Sequence, residues 1–413
     1  MTYQATNKLG SYLTQSEIPF AKPFVTGNEL KYVAQVIASG SISSDGRFTQ
    51  GCAQILKERF GIHEVFMVPS CTAALEMAAM LAGLDKGDEV LMPSFTFVST
   101  ASAVVRLGAK PVFVDIRPDT LNIDEDLVEA GITSRTKAIF PVHYAGVSCE
   151  MDRLMAIARK HNLLVVEDAA QAVNGHYRGR ALGSIGHLGA YSFHSTKDYT
   201  CGEGGALCVN SPEMAARAEI IRDKGTNRKK FLRGEVDKYS WVDAGSSYLP
   251  SEIACAFLYA QLETMDRIKT LRCQLAQRYQ SRLSQLEQQG RLCLPRVPAG
   301  CESSHHLYYI LLSDEDTRDR LIAYLKQRRI RALFHYVPLH CSPMGRKLGY
   351  RDGDFPVTEQ LSGRLLRLPL YPDLAEEEQE TVVQSIESFF NGTSFNGTGA
   401  RKFFTAGHLI ESA

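Results

Sequence analysis

The chain has 413 residues and a mass of 45.8 kDa, room for two or three domains at roughly 150 residues each. Hydrophobic residues are 44% and charged residues 22%, an ordinary globular balance that excludes disorder as the main state. Lys+Arg and Asp+Glu are both 46, so no basic excess points to a nucleic acid partner.

In chain order, an N-terminal arm (1–28) precedes helical patterns at Glu29–Ser39 and Phe48–Phe60. Alternation then sets in. Glu64–Val68 reads as a strand, Cys71–Leu84 as a helix, Glu89–Met92 as a strand and Val98–Leu107 as a helix. Pro111–Val114 and Lys137–Val142 read as strands around a short helix at Asp124–Ala130. Met151–His161 puts Met151, Leu154, Met155 and Ala158 on one helical face, and Leu163–Val166 is then a buried strand ending in Glu167-Asp168. Continuous apolar strands separated by helices predict an α/β domain (29–249) with a mostly parallel sheet covered by helices. Pro250–Gln289 reads as one long connecting helix. It leads to a smaller α+β C-terminal domain (250–390 with the connector), with strands at His306–Leu312 and Ala332–Tyr336 and helices at Arg318–Arg328 and Glu376–Phe390. The tail, 391–413, is rich in Gly, Ser, Thr and Asn at its start and reads as a flexible extension.

The 10 cysteines form no C-x-x-C pair, which argues against a zinc ribbon and reads as free thiols in a reducing compartment. The first 28 residues lack the apolar core of a signal peptide, and no run of about 18 apolar residues occurs. The expectation is a cytoplasmic protein without membrane contact. P-loop, G-x-G-x-x-G, H-E-x-x-H and G-x-S-x-G motifs are absent, and no metal ligand set is read.

Four segments carry chemistry. Pro69–Ala74 (PSCTAA) lies at a strand-to-helix junction, where free backbone N–H groups make a phosphate site; a plain cap by Ser70 or Thr72 is the alternative. Pro93–Ser99 (PSFTFVS) follows the next strand, where an aromatic can stack on a flat ring; the alternative is two core Phe residues, the better reading for Phe95. Glu167-Asp168 ends a buried strand, where a carboxylate either pairs structurally or holds a heteroaromatic N–H. Tyr191–Lys197 (YSFHSTK) precedes Gly202-Glu203-Gly204-Gly205; a desolvated Lys there becomes a nucleophile for a carbonyl, whereas a lone Lys is ordinarily a solvated surface group. Together, a phosphate cradle, a stacking aromatic, a carboxylate and a Lys are the parts a pyridoxal phosphate site needs.

PSCTAALEMAA, PSFTFVSTA, PVHYAG, VVEDAAQ, SFHSTK and GEGG occur in order between about Ile18 and Phe390. With them the chain resembles the DegT/StrS-type sugar-nucleotide aminotransferases of fold type I, the aspartate aminotransferase-like group. GTNR (225–228), DKYSW (237–241) and GSSYL (245–249) narrow the resemblance to members that aminate dTDP-4-dehydro-6-deoxyglucose for enterobacterial common antigen synthesis.

The resemblance implies pyridoxal 5'-phosphate as cofactor and Lys197 as the Schiff-base lysine and proton shuttle. It implies Asp168 against the pyridinium nitrogen, Gln171 near the ring hydroxyl, Phe97 stacked on the ring, and Thr72, Ala73 and Ser192 on the phosphate. His143, Tyr144, Arg228, His335, Tyr336 and His340 become substrate candidates, with a hydrogen-bonded core histidine as the alternative for His143 and His335. Many members have G-x-N-Y near the long helix, where the Asn reaches the partner subunit's cofactor phosphate. Here Ser247 takes that place, so the contact is shorter or lost.

A nucleotide-sugar acceptor, L-glutamate as donor and a homodimer with interfacial sites follow from the same resemblance. Three rivals fit the residues less well. A sugar dehydratase of the same family would carry His in place of Lys197. A non-enzymatic cofactor-binding regulator would not need the intact set. A Rossmann oxidoreductase would need the missing glycine fingerprint.

Overall fold

The computed structural model describes residues 17–392. Positions 1–16 and 393–413, most of the N-terminal arm and nearly all of the tail, lie outside the described residues. Among the described residues, twelve strands follow in chain order. They are β1 (Glu64–Val68), β2 (Glu89–Pro93), β3 (Lys110–Val114), β4 (Thr136–Ile139), β5 (Leu164–Asp168), β6 (His176–Tyr177), β7 (Arg180–Ala181), β8 (Leu188–Ser192), β9 (Gly205–Val209), β10 (Cys301–Glu302), β11 (Tyr308–Leu311) and β12 (Leu365–Leu368).

Seven of them form the central sheet, in the order β1-β9-β8-β5-β4-β2-β3. Pairings are parallel except that β9 runs antiparallel to both β1 and β8. The sheet is buried on both faces because successive residues of a strand point to opposite sides. Leu91, Ile139 and Val165 enter one apolar cluster, and their neighbours Val90, Ala138 and Val166 enter the other. Each Leu, Ile or Val among them contributes about 1.5–3 kcal/mol when fully buried.

Local chemistry sets the helix starts that matter for the site. Helix Cys71–Leu81 begins where the Ser70 hydroxyl accepts the Ala73 N–H at 3.1 Å. Helix Glu252–Glu263 is capped in the same way by Ser251. The expected single helix over Pro250–Gln289 is two, Glu252–Glu263 and Met265–Gln288. The break is at Thr264, whose hydroxyl donates back to the Ala260 and Gln261 carbonyls and competes with the helical ladder.

The C-terminal body packs β11 and β12 against helices Glu315–Gln327 and Glu376–Gly392 around its own core. Ile18 of the arm joins that core and bridges to Ile330. The expected strand Ala332–Tyr336 reduces to one bridge between Leu333 and Arg367. Tyr336, at φ +38°, turns the chain away before Pro338. Among the described residues no helix is long and apolar enough to cross a membrane.

Candidate active site

The carboxyl ends of β1, β2, β5 and β8 lie on one edge of the sheet, together with the start of β9. Open α/β sheets bind ligands at that edge. A cavity of about 780 Å³ opens there, lined from the large domain by Thr72, Phe97, Asp168, Gln171, Ser192 and Lys197. The C-terminal body closes it with His335, Tyr336 and Arg367.

Lys197 sits in a tight turn, its N–H donating to the His194 carbonyl at 2.9 Å. Bonds from Phe193 N–H to Gly204 O (2.9 Å) and from Ser195 N–H to Gly202 O (2.8 Å) pin the loop that carries it. Burial lowers the pKa of its amine, while Cys71, Asp168 and Asp198 act the other way. The next residue, Asp198, is buried, accepts from His306 Nδ1 (2.9 Å) and forms an ion pair with Arg272, whose Nε stands 3.1 Å away. Burial pushes the His306 pKa down to about 4.

The two acids at the end of β5 divide their roles as strand alternation requires. Glu167 is fully buried and accepts from His143 Nε2 (2.8 Å) and from the N–H groups of Gly183, Ile185 and Gly186. Asp168 faces the cavity, with Oδ2 accepting from Thr100 Oγ1 (2.7 Å) and Oδ1 from the Ala170 N–H (3.2 Å). A carboxylate oriented this way can accept from a heteroaromatic N–H.

Gln171 is fixed at both ends. Its Oε1 accepts the Ala145 N–H at 2.8 Å, and its Nε2 donates to the Tyr336 hydroxyl at 2.8 Å. Phe97 is 57% exposed on the cavity wall, whereas Phe95 is core at 1%. Exposure of that size on an apolar ring suits a stacking platform.

Several expected site residues lie elsewhere. Ala73 is off the wall, because its N–H is spent on the Ser70 cap. The N–H groups of Cys71 and Thr72, at the first two helical positions, have no acceptor within the helix and are the donors placed for a phosphate. His143 is fully buried; Nε2 bonds Glu167 and Nδ1 accepts the Cys149 N–H, so it is a satisfied core histidine. Tyr144 is fully buried too and supports the site from behind, through its 2.8 Å bond to His335 Nδ1 and its ring contact with Tyr336. His340 is buried away from the cavity and bonds Ser94 Oγ (2.6 Å) and Glu359 (2.9 Å). Arg228 pairs with Asp223 at 3.7 Å, and Ser247 bridges to the same Asp223. Neither lines this chain's cavity.

Sequence reasoning missed Thr100, Asp198, Arg272, His306 and Arg367. Only Asp198, adjacent to the lysine, left a local signal. The others depend on contacts made by remote segments.

The cavity fits pyridoxal 5'-phosphate. Gly205 passes so close to the Ser70–Cys71 turn that a Cβ would lie 2.4 Å from the Ser70 carbonyl carbon. That approach leaves free N–H groups and the Thr72 and Ser192 hydroxyls around a space for a phosphate. Asp168 and Lys197 supply the two remaining requirements.

Comparison with known proteins agrees with this geometry. The model of the DegT/DnrJ/EryC1/StrS aminotransferase family matches residues 24–387. The spore coat polysaccharide biosynthesis protein SpsC of Bacillus subtilis is 34% identical over 383 residues, 91% of this chain and 97% of that protein. The aminotransferase TlmJ of Streptoalloteichus hindustanus superposes with a TM-score of 0.84 at 30% identity, covering 91% of this chain and 100% of that one. Spr1654 of Streptococcus pneumoniae, solved in its PLP-form, superposes at 0.83 with 26% identity, covering 91% and 99%.

Proposed function

The chain belongs to the DegT/DnrJ/EryC1/StrS aminotransferase family, and from that premise we propose that it carries an amino group from L-glutamate to the C4 ketone of dTDP-4-dehydro-6-deoxy-D-glucose. The products are dTDP-4-amino-4,6-dideoxy-D-galactose and 2-oxoglutarate. At the level of the family it is a fold-type I sugar aminotransferase that uses pyridoxal 5'-phosphate. The observation that carries the reading is one cavity holding Lys197, Asp168, Phe97 and a hydroxyl-lined helix start. The choice of sugar is supported by the GTNR, DKYSW and GSSYL segments.

Bound there, the cofactor supplies a cationic ring that withdraws electrons from the carbon bearing the amine. Asp168, held by Thr100, keeps the ring nitrogen protonated. Thr72, Ser192 and the first N–H groups of helix Cys71–Leu81 hold the phosphate. Phe97 covers a ring face, and Gln171 orients beside the ring hydroxyl. The Lys197 amine, its pKa lowered by burial, would hold the cofactor and would carry protons to and from C4 of the sugar. His335 and Tyr336 flank the sugar from the C-terminal body.

The protein acts as a homodimer, with Arg228 and Ser247 serving the partner's site; both sit off this chain's own cavity, near the exposed Phe231, Tyr239 and Trp241. All ten cysteines are unpaired, which suits a reducing cytoplasm. The test is incubation of the enzyme with L-glutamate and a panel of keto sugars. Amination of the dTDP-linked 4-keto sugar with release of 2-oxoglutarate is expected. Turnover only of a UDP-linked or 3-keto sugar would overturn the substrate and leave the family intact.

A further inference from the structure

A second cluster of reactive side chains lies outside the cavity, where the Leu339–Cys341 turn meets helix Pro356–Arg364. Among the described residues, His340, Cys341 and Glu359 form the one group of three metal-ligating side chains whose ligand atoms all lie within 4.8 Å of one another. His340 Nε2 stands 2.9 Å from Glu359 Oε1 and 3.2 Å from Cys341 Sγ. Metal bonds of about 2.0 Å to nitrogen and oxygen and about 2.3 Å to sulfur give tetrahedral edges of about 3.3 and 3.5 Å. The two separations fall a few tenths of an ångström short of those edges, a gap that small side-chain movements close. The histidine ring is already oriented, because Nδ1 meets Ser94 Oγ at 2.6 Å and that hydroxyl also accepts the His340 N–H at 3.1 Å. A partner of this kind on the far nitrogen is how a metal-ligating histidine is held. Glu359 Oε1 is held in turn by the Gly353 N–H at 2.7 Å. His340 is fully buried, whereas Cys341 is half-buried and Glu359 is 28% exposed, so the corner is open to solvent on one side.

We propose that His340, Cys341 and Glu359 bind one thiophilic divalent cation of the Zn²⁺ class, with a water molecule in the fourth position. Hydrogen bonds alone serve the cluster poorly. One proton on Nε2 reaches either the carboxylate or the sulfur well, and with Nε2 bare the carboxylate faces a lone pair. A cation takes a lone pair from all three atoms at once. The thiolate and the carboxylate together cancel its two charges. Binding is an exchange in which the thiol proton leaves to solvent and His340 keeps its own proton on Nδ1, donated to Ser94. The Asp352 charge is also felt at the thiol, but Arg346 holds that carboxylate at 2.9 and 3.0 Å, so solvent supplies the last ligand. A mixed nitrogen, sulfur and oxygen set selects against Mg²⁺ and Ca²⁺, which take oxygen. None of the three ligands lines the cavity, and the site stands whether or not the transamination reading does. Its effect is a staple between turn and helix. The Leu339 N–H donates to the Ser94 carbonyl at 3.0 Å, so the staple extends to the segment that carries Phe97.

The test uses the untagged full chain with cofactor bound, as wild type and as Cys341→Ser, Glu359→Gln and Cys273→Ser. The last removes a half-buried thiol on helix Met265–Gln288 as a control. Equilibrium dialysis against Zn²⁺ is expected to give one tight equivalent per wild-type chain. Affinity is expected to fall about 100-fold or more in Cys341→Ser and about tenfold or more in Glu359→Gln, and to stay unchanged in Cys273→Ser. Binding to the wild type is expected to release about one proton, and that release is lost in Cys341→Ser. Co²⁺ as a second probe is expected to show the intense visible bands of a four-coordinate thiolate site, at longer wavelength than the cofactor. The substitutions are close in shape, and equal thermal midpoints in chelator show that affinity rather than folding has changed. Zn²⁺ held by Cys341→Ser as tightly as by the wild type would overturn the proposal. So would the weak spectrum of six-coordinate Co²⁺ in the wild type, which would leave a plain hydrogen-bonded histidine.

Discussion

Burial, opposed by neighbouring carboxylates, sets the protonation of two groups at the heart of the site. Lys197 is the first, and Lys197→Ala is expected to keep the fold and the thermal midpoint while reducing turnover at least about 10³-fold. Near wild-type amination by that variant would remove the assignment. His306 is the second. Its folded pKa, about 4, lies below its unfolded value near 6.5, so the unfolded chain binds the extra proton between these limits. Stability is therefore full above pH 6.5 and falls as pH drops toward 4, by up to about 3 kcal/mol. Urea midpoints at pH 7.5 and 5 should show the loss, and His306→Gln should flatten it. Lys197, Asp168 and Phe97 were legible because each sits in a short motif at a strand end. His143 and His340 misled because a histidine in a motif reads alike whether it faces a cavity or a core partner. Arg367 and Arg272 gave no signal at all, since their meaning comes from segments far away in the chain.

Strand ends and helix starts convert those residues into a site. β9 begins at Gly205, pressed against the turn that opens helix Cys71–Leu81. Gly205→Ala is expected to push that turn out, lowering cofactor retention on dialysis and the thermal midpoint together. Full retention would show that the close approach is not needed. Most large-domain elements were readable from apolar runs and helical spacing. β9 was missed because Gly205–Val209 is rich in small residues, and only sheet pairing makes a strand of it. The break at Thr264 was hidden because a hydroxyl turned back on the helix leaves no breaker residue in the sequence. Ala332–Tyr336 has strand-like composition, but the turn at Tyr336 leaves it a single bridge.

At the scale of the molecule, the segment around Phe231, Tyr239 and Trp241 is exposed, with Trp241 at 80%. In the proposed homodimer this bare aromatic surface is the face that the partner would cover. The chain has one tryptophan, so its fluorescence reports that surface alone. Sedimentation is expected to give a dimer, with Trp241 emission shifting to the red on dilution to monomer. Trp241→Asp is expected to lower both dimer content and activity; an active monomer would contradict interfacial sites. The change in pattern near residue 250 is where the sequence divides an α/β part from a smaller C-terminal part. How the second body reaches over the cavity with Arg367 was not legible, because closure between bodies leaves no periodic trace in either.

On the proposed function, this cavity binds pyridoxal 5'-phosphate on Lys197 and exchanges its amine with L-glutamate. The absorption spectrum of the purified protein, taken before and after L-glutamate, tests it most directly. A band near the visible edge that moves to shorter wavelength on addition of the donor is the predicted result. A protein that stays colourless, even after added cofactor, would contradict it.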